Sequence, residues 1–293
     1  MARKPIVADQ FYDSDFDNLQ KQITNCFEGK LGPGTLPISK RDGEILGIIV
    51  PHAGYFYSGQ CAAWAYKEIG EAAMPDLFII LGPDHTGSGS AISAEDWTTP
   101  FSDLKADIEF AKVLEATAEQ NSGIKINNKA HEKEHSIEVQ LPFLQFVNKD
   151  HMKTMKMLAI MVSHDVNIKK LAEDIKAAIK LTKKTVCFIT SSDFTHYGEN
   201  FGFTPFIYNI KESLLEMDNG AIETIKKLDS SVFLNYVKKT GATICGTLPI
   251  ALMIDIIWQD VSDVHLLSYY TSVDITEGKD YSHSVGYAAM VFK

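Results

Sequence analysis

Three stretches of the chain end an apolar run in residues that could do chemistry. GIIVPHAGY ends in His52, LFIILGPDHTG in Asp84 and His85, and VCFITSSDFTHYG in Asp193 and His196. A fourth, TICGTLPIALMIDIIW, sets Cys245 just before a strongly apolar segment, with Gly246 permitting close approach. A fifth, HEKEHSIEVQLPFLQF, spaces His135 and Glu138 three apart, so a helix would put both on one face. Imidazole, carboxylate and thiolate together form a transition-metal ligand set. Two histidines and a carboxylate suit Fe(II), two histidines and a cysteine suit copper, and a Cys/His set with an open position suits zinc. These residue types do not choose among the metals. A metal-free reading uses Cys245 as a nucleophile, a nearby histidine as its base and Asp193 to orient the imidazole. A helix N-terminus lowers a thiol's pKa, which is the expectation for Cys245. Cys26, Cys61 and Cys187 read as small buried residues. Ser191 and Ser192 sit in no GxSxG elbow and are set aside as nucleophiles. The glycines of GPDHTGSGS match neither a Walker A loop nor a dinucleotide fingerprint.

The elements that must position these residues alternate. A first helix is expected over 15–27, followed by a Gly/Pro/Lys-rich loop over 29–43. Continuous apolar runs at 44–50, 76–81, 156–162 and 185–190 read as buried strands. Helical patterns at 59–73, with Ser58 as N-cap, at 104–119 and at 166–181 lie between them. Such alternation predicts βαβ units and a mainly parallel or mixed sheet flanked by helices, in a single α/β domain over 1–293. The C-terminal third reads as a helical layer over 206–239, a buried helix over 247–258 and final strands over 264–273 and 284–292. Pro142 leaves open whether a helix begins at Leu141 or already runs through it. In open parallel sheets, sites form beyond the carboxyl ends of the strands. His52, His85 and His196 are therefore expected to meet in space.

The net charge of −10 argues against nucleic acid as a partner, because binding its backbone needs clustered Lys and Arg. No apolar stretch approaches the ~20 residues of a membrane span, and the N-terminus carries no signal-like apolar core. The four cysteines are widely spaced, with no CxxC pair. Together these features predict a cytoplasmic protein with reduced thiols and leave its oligomeric state open.

The stretches VPHAGYFYSG, ILGPDHTG, EHSIEVQLPFLQ, TSSDFTHYG and ICGTLPI occur in the order that characterises the Memo family, named for a mediator of cell motility. The resemblance runs from RKPIVADQFY at Arg3 to SVGYAAMVF near the end. It implies a fold like that of the class III extradiol dioxygenases. By resemblance, His52 and His85 match the two metal-binding histidines and Cys245 the third ligand position, which is a glutamate in the dioxygenases. His196 matches their catalytic base, with Asp193 beside it. A thiolate in place of a carboxylate is softer, favours copper or alters an iron's redox behaviour, and speaks against extradiol ring cleavage. Iron, copper, copper-linked redox activity and phosphotyrosine-peptide binding are associated with the family's animal members.

Three functions follow as expectations. The first is a metal-dependent redox or dioxygenase-like enzyme. Its metal ligands are His52, His85 and Cys245, holding Fe(II) or Cu, with Zn as the other option. His196, Asp193 and His135 are its catalytic set, and Tyr55, Tyr57, Asp84 and Glu138 line its substrate side. The second is a non-catalytic module that binds a small molecule or peptide in the same crevice. The third is a Cys245-dependent hydrolase or transferase.

Overall fold

The computed structural model describes residues 2–38 and 40–293. Its framework is a ten-stranded mixed sheet whose centre is parallel. In chain order the elements are α1 (Phe16–Glu28), β1 (Gly47–Val50), α2 (Tyr55–Glu71), β2 (Leu77–Pro83), β3 (Ala91–Ser93), β4 (Trp97–Thr98) and β5 (Asp103–Ala106). There follow α3 (Ile108–Ala118), α4 (Gln140–Val147), β6 (Lys156–Val162), α5 (Ile168–Thr182), β7 (Val186–Ser191), β8 (His196–Tyr197), α6 (Ile210–Ile225) and α7 (Ser230–Thr240). The chain finishes with α8 (Thr247–Ile257), β9 (Val264–Thr271), α9 (Ser272–Ile275) and β10 (Ser284–Phe292). The strand path is β4-β5-β6-β2-β7-β1-β10-β8, with β3 paired to β6 and β9 to β10.

Side chains on a strand alternate between faces, and here each face has its own core. Ile48 and Val50 of β1, Phe78 and Ile80 of β2, and Cys187 and Ile189 of β7 pack with α1, α2 and α4. Ile49, Leu77, Ile79, Leu81 and Phe188 face the other way and pack with α3, α5 and α8. Both faces of the central strands are thus covered, which is why the sequence reads there as unbroken apolar runs.

The expected helix over 104–119 is two elements. β5 ends at Ala106, and Asp107 then caps α3 by accepting from Phe110 N at 3.1 Å. The expected start of α2 at Gly59 also shifts. The helix begins at Tyr55 with Gly54 as its cap, and Ser58 lies inside the first turn, where its hydroxyl donates to the Ala53 carbonyl at 2.8 Å. Pro142 occupies the first turn of α4, where its missing N–H costs nothing. The helical layer over 206–239 is α6 and α7.

Strands β2, β7 and β1 are adjacent and parallel, with Val50 opposite Ser191 and Leu81 opposite Thr190. Their carboxyl ends therefore open into one crevice, and the site is built there.

Candidate metal centre

The chain leaves β1 through Pro51 and turns into α2, so His52 stands at the strand end and is buried. Its backbone N–H donates to Asp193 Oδ1 at 2.8 Å, and the N–H of Ala53 donates to the same atom at 3.3 Å. Its ring Nδ1 is 2.9 Å from Ser191 Oγ. That hydroxyl donates its single proton to the Ser136 carbonyl at 2.7 Å and accepts from Gln140 Nε2 at 2.8 Å. With no second proton to give, it must accept from His52. The hydrogen bonds therefore assign the proton to Nδ1 and leave Nε2 as a bare lone pair. Nε2 is 3.2 Å from Cys245 Sγ. Burial, then the charges of His85 and His135, pulls the His52 pKa well below the ordinary imidazole range.

His85 follows β2 and is held by Glu134. The backbone N–H of His85 donates to Glu134 Oε2 at 2.6 Å, and Nδ1 lies 3.0 Å from Oε1. Glu134 also accepts from the N–H groups of His135 and Ser136, at 2.9 and 2.8 Å. Burial would raise this carboxyl, but the hydrogen bonds and charge of His85 and the backbone N–H groups hold it at about 2. An ionised carboxylate only accepts, so the neutral His85 ring carries its proton on Nδ1 and has its lone pair on Nε2. Burial acts to lower His85, and Glu134 more than offsets it, leaving the pKa raised. The His135 ring stacks on His85 at 4.9 Å between centroids and meets His52 edge-on at 5.7 Å. Phe11 closes its outer side at 5.0 Å.

Cys245 comes from the turn before α8, whose cap is Gly246. A Cβ on Gly246 would lie 2.3 Å from Ser192 Cβ and 2.8 Å from the Ser191 carbonyl oxygen, so only glycine lets this turn dock on the end of β7. Cys245 Sγ accepts from the Asp193 N–H at 3.1 Å. The expected lowering of the thiol pKa is overturned. Burial, aided by the Asp193 charge, pushes it up past anything the N–H groups of Asp193 and Gly246 restore. Asp193 is itself raised by burial, although His196 and the N–H groups of His52 and Ala53 oppose this. His196 Nδ1 donates to the Thr243 carbonyl at 3.0 Å, and the His196 backbone N–H donates to Thr243 Oγ1 at 2.9 Å. The His196 ring meets Phe201 at 5.1 Å.

One donor atom each from His52, His85 and Cys245 lies within 4.8 Å of the others, and so do atoms of His85, Glu134 and His135. Other expected residues lie elsewhere. Tyr55 does not wall the crevice. It is buried on α2, with its hydroxyl donating to the Val139 carbonyl at 2.7 Å and its ring against Phe143. Glu138 is wholly buried in an ion pair with Arg3 at 2.7 Å and forms no helical pair with His135, because residues 136–139 are turns and α4 begins only at Gln140. Asp84 is spent on its own loop, accepting from the N–H groups of Thr86, Ser88 and Gly89. Tyr57 is 43% exposed and borders two hollows, one with Phe11 and Phe56 and one with His283 and Tyr287. The sequence reading missed Glu134 and Ser191, the two residues that orient the histidines. Both sit in quoted motifs directly beside a selected residue or strand end, but their partners are 49 and 139 positions away.

The model of the Memo-like protein family matches residues 3–291. A MEMO1 family protein of Methanopyrus kandleri is 37% identical, covering 100% of this chain and 99% of its own. One from Sulfurisphaera tokodaii is 38% identical with the same coverage. A crystal structure of an uncharacterised Escherichia coli K12 protein matches with TM-score 0.53 at 10% identity, covering 84% of this chain and 99% of that one. At that identity the likeness is one of fold alone.

Proposed function

The chain belongs to the Memo-like protein family, and from that premise we propose that its strand-end crevice is a transition-metal site for Fe(II) or Cu that serves a redox or dioxygenase-like reaction. The observation that carries this is the grouping of one ring nitrogen each of His52 and His85 with Cys245 Sγ, in which His52 Nε2 lies 3.2 Å from the sulfur and each imidazole is fixed from behind through Nδ1. Metal-bound histidines are commonly oriented in this way. The donors suit a borderline or soft ion, for which imidazole and thiolate are the preferred ligands. Such an ion would supply one-electron or oxygen chemistry.

The chain's own residues have separable roles. Asp193 ties the backbone of His52 to the turn that carries Cys245 and so fixes two of the ligands relative to each other. His196, with Nδ1 engaged by Thr243, has Nε2 available to take or give a proton. His135 and Phe11 close the crevice on the N-terminal side. The test is elemental analysis of protein purified without oxygen. About one Fe or Cu per chain is expected, falling to background in His52→Ala. Background metal in both proteins would sink the proposal.

The short contact between Cys245 Sγ and His52 Nε2 also fits a metal-free Cys–His nucleophile. The raised thiol and the lowered imidazole both favour the neutral pair, which is the unreactive form. Slow alkylation of Cys245 in metal-free protein, relieved only by unfolding, is therefore expected, and rapid labelling would favour the nucleophile.

A further inference from the structure

We infer that Arg3 is a positioning residue for the metal crevice, acting through the segment 131–138 and Glu134; this rests on the metal reading above. Arg3 is a buried arginine with only 5% of its surface exposed. Besides the Lys4 carbonyl at 3.3 Å, its guanidinium binds three partners on one short segment. Nε donates to the His131 carbonyl at 2.8 Å, one terminal nitrogen to the Glu134 carbonyl at 2.6 Å, and the other to Glu138 Oε2 at 2.7 Å. Its flat face lies 4.1 Å above the Trp97 ring. The rigid fork of an arginine can fix three acceptors at once, which a lysine cannot do.

Glu138 returns the chain to the N-terminal segment. It accepts from the N–H groups of Ile6 and Val7, each at 3.0 Å to Oε1, and from the Tyr12 hydroxyl at 2.8 Å. Residues 3–12 and 131–138 are thereby stitched together; apart from isolated bridges of Arg3 to Trp97 and of Ala8 to Tyr12, and a 3-10 turn that ends at His131, neither stretch has regular structure of its own. Between the stitches lies Glu134, whose carboxylate sets the ring of His85, and beside it His135, which packs on Phe11. Arg3 binds the Glu134 carbonyl and not its carboxylate. It holds the main chain from which Glu134 reaches His85, so its loss lets that carboxylate shift and frees the His85 ring to turn.

The experiment compares Arg3→Met, the double variant Arg3→Met/Glu138→Gln, and Leu171→Ala, a core truncation on α5 at the opposite face of the sheet. Arg3→Met leaves the Glu138 charge buried without its partner and lowers Tm. The double variant removes that charge, keeps an acceptor for Ile6, Val7 and Tyr12, and recovers most of the Tm. Co(II) affinity, measured by competition and by the thiolate-to-cobalt absorption, is expected to be about tenfold weaker in both Arg3 variants, in line with the loss of a group that orients a ligand. Leu171→Ala should lose Tm with affinity unchanged. A second readout needs no metal: the His85 Nδ1–H proton resonance, assigned by its loss in His85→Gln, should exchange faster with water in both Arg3 variants. Wild-type affinity and exchange in the double variant would overturn the inference, as would an equal loss of affinity in Leu171→Ala. Failure of the wild type to bind Co(II) would instead sink the metal reading, and the proton resonance would still decide whether Arg3 positions His85.

Discussion

The Ser191 hydroxyl has one proton and three neighbours, and that inequality sets the tautomer of His52. The same logic acts at His85 through Glu134 and at His196 through the Thr243 carbonyl. In each case Nδ1 is bound and Nε2 is left over, so the three rings share one chemical polarity although their partners are a hydroxyl, a carboxylate and a carbonyl. Replacing Ser191 by Ala removes the acceptor for His52 and for Gln140 and leaves both groups buried without it. The expected cost is about 1–3 kcal/mol in urea unfolding. Co(II) affinity is expected to fall between about ten- and a hundredfold, because the imidazole is no longer held in the right tautomer. If titration returned the wild-type affinity, the tautomer argument would be wrong at this residue. Asp84 and Glu138 mark the limit of reasoning from residue type. A carboxylate one or three residues from a histidine is expected at the site on sequence, but both are used up by backbone N–H groups or an arginine.

At the scale of elements, the crevice is the meeting of three strand ends and one helix approach. The strands were legible because continuous apolar runs of strand length have few other ways to be buried. β6 and β10 span the residues expected of them. The ends of β1, β2 and β7 place His52, His85 and Asp193 without any knowledge of contacts. The segment 131–139 was not legible. Its polar spacing imitates a helix face, but its conformation is dictated by Arg3, 128 and 131 positions from the carbonyls it binds, and by packing against His85, 49 positions from Glu134. The small strands β3, β4 and β8 were invisible for a related reason, since two or three residues carry no period. The approach of α8 offers a sharp test. In Gly246→Ala the new methyl would meet Ser192 and the Ser191 carbonyl well inside contact distance, and one of those atoms is backbone that cannot rotate away. The turn must then lift and carry Cys245 with it. We expect a loss of about 1–3 kcal/mol from overpacking. A crystal structure of the variant should show Cys245 Sγ farther from His52 Nε2 than 3.2 Å. An unmoved thiol would mean that the glycine is dispensable to the site.

Over the whole molecule, the two cores stabilise a sheet whose open end is unusually rich in buried polar groups. Among the described residues no helix is long and apolar enough to cross a membrane. Asp218 is one support whose cost can be measured. It lies on α6, is wholly buried, and accepts from the backbone N–H of Thr195 at 3.2 Å, from the Thr195 hydroxyl, and from the Tyr269 hydroxyl at 2.7 Å. Thr195 directly precedes His196, so this carboxyl anchors the loop that carries the proposed proton carrier. Burial raises its pKa to about 6, although the hydrogen bonds from Thr195 and Tyr269 and the nearby His196 oppose the shift. A carboxyl with a folded pKa above its unfolded value of about 3.9 binds its proton more tightly in the native state. Its contribution to stability is therefore complete below about pH 4 and is lost as pH rises through about 6. Within that window the loss runs at up to about 1.4 kcal/mol per pH unit. Asp218→Asn keeps an oxygen for Thr195 and cannot ionise, so it lacks this dependence. Glu134, held at about 2, loses stability toward acid in both proteins and cancels in the comparison. The stability of the wild type relative to Asp218→Asn, from urea unfolding at intervals between pH 4 and 7.5, should fall as pH rises and level off above about 7. Two parallel curves would show that Asp218 stays ionised at no cost, and the Thr195 loop would then need another anchor.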